Sequence, residues 1–315
     1  MFKRIPRNIR LLISLLLSAT ILFLIYRNMD IPQIAGVIRR VDPMLFLLFL
    51  LLFIPQLFIA SLRWNLMTLH IGKVKSPLIS SWHQVIGSYS ANLIIPGKMG
   101  EIVRLPWMQK YQTHCPVLIL VFMEKLLDIF SVVLLMMGAW VYVCAHTGTN
   151  TSAHNGGLLL GLVMMTAMVL TFIFRKRTFS LIARLFPKWV GRQKEESIYV
   201  RIKQSLEYLK DELLPFIALS VGLWFVQLLE FYVIFRMFGV DPGLFEVMFG
   251  CSLALLAGAI PISVAGVGPR DAVIISYFSN WAGNETLAAI GIITILRIVI
   301  PALLGLPSFF LQSKQ

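Results

Sequence analysis

The stretch GAIPISVAGVGPRDAV, residues 258–273, interrupts a chain that is otherwise rich in Leu, Ile, Val and Phe. Pro261 ends an apolar run, small residues follow, and Arg270 and Asp271 then stand side by side. A backbone opened inside a bilayer leaves N–H and C=O groups without partners, at several kcal/mol each. Such a break therefore indicates a place where the protein has a use for exposed polar groups.

Composition places the chain among membrane proteins. Hydrophobic residues make up 58% of its 315 positions and charged residues only 14%, with a mean hydropathy of +0.81, whereas soluble domains carry about 25% charge. The net charge of +13 does not indicate nucleic-acid binding, because Lys and Arg cluster at the ends of apolar segments. The three cysteines and five histidines show no disulfide framework, metal spacing or cofactor motif.

Six apolar runs are long enough to cross a bilayer, which takes about 20 residues. They cover 11–26, 43–62, 116–143, 157–174, 214–236 and 284–311. The run at 11–26 resembles a signal peptide but has no small-residue cleavage site, so we expect a retained span. The predicted fold class is therefore an all-α polytopic membrane protein.

Two further apolar stretches stop early and predict broken or re-entrant helical elements, at 82–104 and 247–272. Their apolar parts, 82–95 and 247–260, end at IPGKMGE and IPISVAGVG. We expect the basic segment 175–213 to lie along the membrane surface, because its apolar residues recur at helical spacing among cations.

The distribution of positive charge predicts a cytoplasmic N-terminus, and six spans return the C-terminus to the same side. Of the 28 Lys and Arg residues, this topology places 21 inside and 5 outside, while Lys125 and Arg297 lie within spans. The layout of 1–150 repeats in 151–315. Three spans per half predict inverted repeats with a substrate site near the midplane. The alternative is two unrelated helices with proline kinks.

The two breaks carry the same residue types. The first has Asn92, Lys98, Glu101 and Arg104, and the second has Gly266, Gly268, Arg270 and Asp271. Backbone amides freed by glycine, beside an arginine fork, suit an anion such as phosphate. These positions therefore predict a binding site for a lipid with an anionic or phosphate headgroup.

Charges near the centre of two spans add to this site. Asp128 and Arg297 lie close to the midpoints of 116–143 and 284–311, and Glu124 shares a helix face with Asp128. A charge at this depth costs about 2.5–3.5 kcal/mol unless it is paired or solvated. Each of the two is the simplest partner for the other. The alternatives are a substrate or switching site and a structural pair of Arg297 with Asp128 or Glu124; Glu230 and Gln227 belong to the same class with less support.

Four motifs give the chain a family resemblance: NLIIPGKMGEIVR (92–104), FMEKLLD (122–128), IPISVAGVGPRDAV (260–273) and LRIVIPALLG (296–305). Together they resemble the lysylphosphatidylglycerol synthase transmembrane-region family of flippase-like proteins, except that Asp271 stands where that family would have Glu. The resemblance implies movement of lipids such as aminoacylated phosphatidylglycerol, or a role with polyprenyl-phosphate-linked sugars. We expect no lysyl-lipid synthesis, because no aminoacyl-transferase domain follows the last span.

Three hypotheses follow. The first is a flippase-like transporter of the cytoplasmic (inner) membrane, not an enzyme, in which Lys98, Arg104 and Arg270 hold phosphate and Glu101, Asp271, Glu124, Asp128 and Arg297 form a switching network. The second is a membrane glycosyltransferase that acts on polyprenyl-phosphate-linked sugars. The third is an accessory subunit that works with cell-envelope biosynthesis proteins without transport.

Overall fold

The computed structural model describes residues 30–94, 100–104, 117–147, 195–259 and 268–313, with the single positions Gly156, Leu159, Gly161, Val163 and Thr166. These ranges are helical, joined by short turns. In chain order the helices are α1 (Ile31–Arg39), α2 (Pro43–His70), α3 (Leu78–Ile94), a 3₁₀ helix (Gly100–Val103), α4 (Val117–Thr147), α5 (Glu195–Met237), α6 (Leu244–Ala259), α7 (Pro269–Tyr277), α8 (Asn284–Ile293) and α9 (Leu296–Ser313).

Four stretches of the described chain are long and apolar enough to cross a membrane: Pro43–His70, Leu120–His146, Leu213–Met237 and Asn284–Phe310. They match four of the predicted spans, so the polytopic all-α fold is confirmed. The predicted spans 11–26 and 157–174 lie outside the described residues, apart from single positions in the second.

The two predicted breaks fall where helices end. Helix α3 stops at Ile94 and α6 at Ala259, just before Pro96 and Pro261 in the sequence. At 17 and 16 residues, both are shorter than the length that spans a bilayer. The chain is helical again from Gly100 in the first case and from Pro269 in the second.

Local sequence explains where the long helix α2 begins. The Asp42 carboxylate accepts the N–H groups of Met44 and Leu45, at 2.8 and 3.3 Å, and so satisfies two donors that the first turn leaves without backbone partners. Pro43 occupies the first helical position, where a missing N–H costs nothing.

The basic segment 175–213 needs a partial correction. Its second part is continuous with a span, because α5 runs without interruption from Glu195 to Met237 over 43 residues. The first part, residues 175–194, lies outside the described residues, so its expected position on the membrane surface stays a prediction.

Helices of the first half pack against helices of the second half. Helix α2 packs against α5, α3 against α9, and α6 against α4. Each short helix before a break, α3 or α6, therefore packs on the last helix that the other half contributes to the bundle, α9 or α4. This arrangement is the same in both halves. The division into repeats at 1–150 and 151–315 stays a prediction.

The two larger apolar clusters among the described residues lie at opposite ends of the bundle. The first gathers Phe49, Phe53 and Met136 with the last turns of α5, and the second gathers Trp64, Met67 and residues of the early turns of α4. Between them the long helices carry polar side chains such as Gln56 and Asp128. This polar layer surrounds the candidate site.

Candidate functional site

A cavity of about 210 Å³ lies in the polar layer between the two halves. Its volume is below that of pockets that enclose drug-sized ligands, so it has room for a headgroup but not for acyl chains. Seven of the predicted site residues line it: Asn92, Glu101, Arg104, Glu124, Asp128, Arg270 and Arg297. The fold therefore brings together predicted site residues that are up to 205 positions apart in the chain.

Arg63 is the central cation of the first half, and sequence reasoning did not identify it. It lies just beyond the predicted span 43–62, but the structure places it inside α2, where it is 1% exposed. Its Nη2 donates to Glu124 Oε1 at 2.9 Å, and its Nη1 donates to Asp128 Oδ1 at 2.7 Å and to Ser220 Oγ at 2.8 Å. One guanidinium thus joins α2, α4 and α5.

Arg104 holds the other oxygen of Glu124. Its Nη1 lies 2.7 Å from Glu124 Oε2 and its Nε 2.8 Å from Ser88 Oγ. The guanidinium carbon lies 4.3 Å from the centre of the Trp64 ring, a favourable cation–π position. Arg104 was predicted as a site residue, and the structure places it in the cavity wall at 3% exposure.

The first break is fastened to α3 by Asn92. Its side-chain oxygen accepts the N–H of Gly100 at 2.7 Å. A side chain at Gly100 would meet the Asn92 nitrogen and the Ser88 carbonyl, so only glycine allows this approach. The next residue, Glu101, accepts Lys125 Nζ at 2.7 Å. Lys125 keeps 44% of its side chain accessible in the cavity, and its Nζ lies 3.9 Å from Asp128 Oδ2.

At the second break, Asp271 fixes both the start of α7 and the direction of Arg270. Its Oδ2 accepts the N–H of Gly268 at 3.3 Å, and its Oδ1 accepts Nε and Nη2 of Arg270 at 2.9 and 2.8 Å. Gly268 has a φ of +102°, which favours glycine. Arg270 lines the cavity, while Asp271 lies behind it at 1% exposure.

A third break, not predicted, divides the last span at Thr294 and Ile295, between α8 and α9. The Ile295 N–H bonds to Ile292 at 3.0 Å instead of to Gly291, so the Gly291 carbonyl is released from the helix. Thr294 Oγ1 and Arg270 Nη2 donate to that carbonyl at 2.6 and 3.1 Å. The break thereby orients Arg270 in the cavity.

Arg297 pairs with Glu230, so the expected pairing with Asp128 or Glu124 is wrong. Its Nε lies 2.7 Å from Glu230 Oε2 and its Nη2 lies 3.2 Å from Gln227 Oε1. The guanidinium carbon sits 4.0 Å from the centre of the Phe231 ring. Arg297 keeps 8% of its side chain accessible, and Glu230 behind it has 0%.

The two halves use the same plan with the charges reversed. In the first half, Arg63 on α2 binds the carboxylates Glu124 and Asp128 on α4. In the second half, Glu230 on α5 binds Arg297 on α9. In both, an ion pair joins the first long span to the last.

Four predicted site residues do not line the cavity or cannot be located. Gly268 and Asp271 support Arg270 from behind, as described above. Lys98 and Gly266 lie outside the described residues. Among the described residues, no group of His, Cys, Asp and Glu side chains is arranged to hold a metal ion.

A comparison with known protein families identifies a relationship for this chain. The family model described as Lysylphosphatidylglycerol synthase TM region matches residues 11–305, nearly the whole chain. No curated protein matches the chain. The match includes all the residues of the cavity wall.

Proposed function

Since the chain belongs to the lysylphosphatidylglycerol synthase TM-region family, we propose that it transports a phospholipid or a polyprenyl-phosphate-linked lipid across the cytoplasmic membrane. The family indicates a membrane lipid-related function, and the helices make the protein a multi-pass membrane protein. The proposed orientation has both termini in the cytoplasm, following the distribution of Lys and Arg.

The observation that carries the proposal is the charge of the cavity wall. Among the described residues, five cations line it, Arg63, Arg104, Lys125, Arg270 and Arg297, against three carboxylates, Glu101, Glu124 and Asp128. The carboxylates that neutralise Arg270 and Arg297 are Asp271 and Glu230, which are nearly inaccessible behind them. The wall formed by the second half is therefore positive where a headgroup would meet it, as a phosphate requires.

The position of the cavity supports transport. It lies near the middle of the long helices, between the two halves, where transporters with inverted repeats bind their substrates. Since the cavity holds only a headgroup, we expect the acyl or prenyl chains to remain in the surrounding lipid while the headgroup crosses between the halves.

The glycosyltransferase alternative needs a carboxylate that is free to accept a proton from its substrate. The three carboxylates of the cavity wall are each held by a cation: Glu101 by Lys125, Glu124 by Arg63 and Arg104, and Asp128 by Arg63. These ion pairs favour a role in binding and switching over one in proton transfer to a sugar, so we propose a protein that is not an enzyme.

Two assays on the purified, reconstituted protein test the proposal together. The first follows labelled phosphatidylglycerol from one leaflet to the other, and the second follows transfer of a radiolabelled sugar from polyprenyl phosphate. We expect lipid movement without sugar transfer. Sugar transfer without lipid movement would establish the enzyme instead, and neither activity would leave an accessory role with cell-envelope proteins.

A further inference from the structure

Among the described residues, Glu230 differs from the other buried carboxylates in having one oxygen without a hydrogen-bond partner. Its Oε2 accepts Arg297, but Oε1 is buried without a hydrogen-bond partner, the one such carboxylate oxygen among the described residues. Both oxygens of Glu124, by contrast, accept an arginine. A buried carboxylate with an unsatisfied oxygen is costly in its charged form.

Arg297 stands between this carboxylate and the cavity. It reaches the cavity wall, whereas Glu230 does not. A phosphate that binds Arg297 would therefore share with Glu230 the only cation that contacts that carboxylate among the described residues. Two anions on one guanidinium in a water-poor site repel each other, and protonation of one of them removes the repulsion.

In the part of the chain that the structure describes, no cation other than Arg297 pairs with Glu230. The charged or titratable side chains around the middle of α5, on the elements packed near it, include Arg63 on α2, Cys251 on α6, and Arg297 on α9, with Glu285 in the first turn of α8. Helix α4 adds Glu124, Lys125 and Asp128, and α7 adds Arg270 and Asp271. Lys125 is paired with Glu101. Arg63 and Asp128 are paired with each other, and Arg270 with Asp271. A phosphate that binds Arg297 therefore competes with Glu230 for the charge of the same guanidinium.

We propose that Glu230 takes up one proton each time an anionic headgroup binds Arg297, and returns it when the headgroup leaves. This inference rests on the proposed transport function and names its coupling ion. The proton comes from the aqueous phase and adds to the carboxylate, while the Nε–H of Arg297 moves from Glu230 Oε2 to a phosphate oxygen. A phosphodiester anion and a proton then cross together without net charge.

The test measures proton uptake during binding. Purified protein in detergent and a weak buffer is titrated with short-chain phosphatidylglycerol, while calorimetry follows binding and a pH indicator follows protons. We expect about one proton taken up per lipid bound, and loss of that uptake in Glu230→Gln. The matched control Glu246→Gln changes a glutamate that accepts Tyr277 OH, remote from the cavity wall, and should keep it.

The outcomes separate the two proposals. Lipid binding without proton uptake in the wild type overturns the inference and leaves transport standing. Absence of binding contradicts the anionic headgroup site itself. Should Glu230→Gln fail to fold, infrared difference spectra of wild-type protein with ¹³C-glutamate test whether the acceptor is a glutamate. A protonated carboxyl band that shifts with the isotope supports a glutamate, and an unshifted band excludes Glu230.

Discussion

The Nε atom of Arg297 lies 2.7 Å from Oε2 of Glu230. Arg297 is therefore paired within its own half of the chain, as Asp128 is within the other half. Arg297 is bound to the first long span of the second half, and Asp128 to Arg63 on the first long span of the first half. The ion pairs therefore hold each half together and leave the cavity between the halves free of a direct Asp128–Arg297 bond.

The pairing predicts the outcome of charge swaps. Exchanging Glu230 and Arg297 should recover part of the stability that either single change loses, with a coupling energy of about 0.5–3 kcal/mol. Exchanging Asp128 and Arg297 should recover none, because the two are not partners. Thermal unfolding in detergent measures both cycles, and recovery in the Asp128–Arg297 exchange would contradict the pairing.

Removing Arg63 should destabilise the protein severely. Arg63→Met leaves Glu124 and Asp128 without the cation they share, and breaking a buried pair in this way costs about 3–5 kcal/mol. Arg39, an exposed residue near the end of α1, provides the control, since Arg39→Met should change stability little. Equal melting temperatures for the two variants would remove the structural role of Arg63.

Glycine positions separate close helix packing from open surface. A side chain at Gly305 would collide with the Ile86 carbonyl and Ser90 Oγ of α3, whereas no described residue lies within 4 Å of the corresponding point at Gly138. Gly305→Ala should therefore cost about 1–3 kcal/mol, and Gly138→Ala should be neutral or stabilising. Denaturation of both variants measures this, and tolerance of Gly305→Ala would contradict the α3–α9 contact.

Cysteine labelling tests the inverted repeats. Single cysteines at Lys98 and Ser279, in a chain without Cys115, Cys144 and Cys251, should react with a membrane-impermeant reagent from opposite sides. Labelling of intact vesicles before and after permeabilisation measures the side. Reaction of both positions from the same side would show that the halves are not inverted.

The sequence predicted the breaks well because proline and glycine mark them directly. Helices α3 and α6 end within two residues of Pro96 and Pro261. The break at Thr294 had no such mark, since Ile292, Ile293 and Ile295 continue the apolar run. Only the loss of the Gly291 hydrogen bond in the folded chain reveals it.

Partners were harder to predict than positions. Helix counting placed Asp128 and Arg297 near the midplane, but their pairing depends on which faces of the helices meet, and hydropathy carries no such information. Arg63 was missed because a cation at the end of an apolar run resembles an interfacial anchor. Helix α2 in fact continues to His70, so Arg63 lies within the helix and is buried.

Transport through the cavity is tested most directly by measuring lipid translocation after the cavity arginines are replaced. Wild-type protein, Arg270→Gln, Arg297→Gln and the surface control Arg39→Gln are each reconstituted in vesicles that carry fluorescent phosphatidylglycerol in both leaflets. An impermeant quencher is then added. If the cavity transports lipid, the quencher should reduce the fluorescence of both leaflets with the wild type and the control. With the two cavity variants it should reduce the fluorescence of the outer leaflet alone. Translocation that persists in folded Arg270→Gln and Arg297→Gln proteins, or that is absent from the wild type, would contradict transport through the cavity.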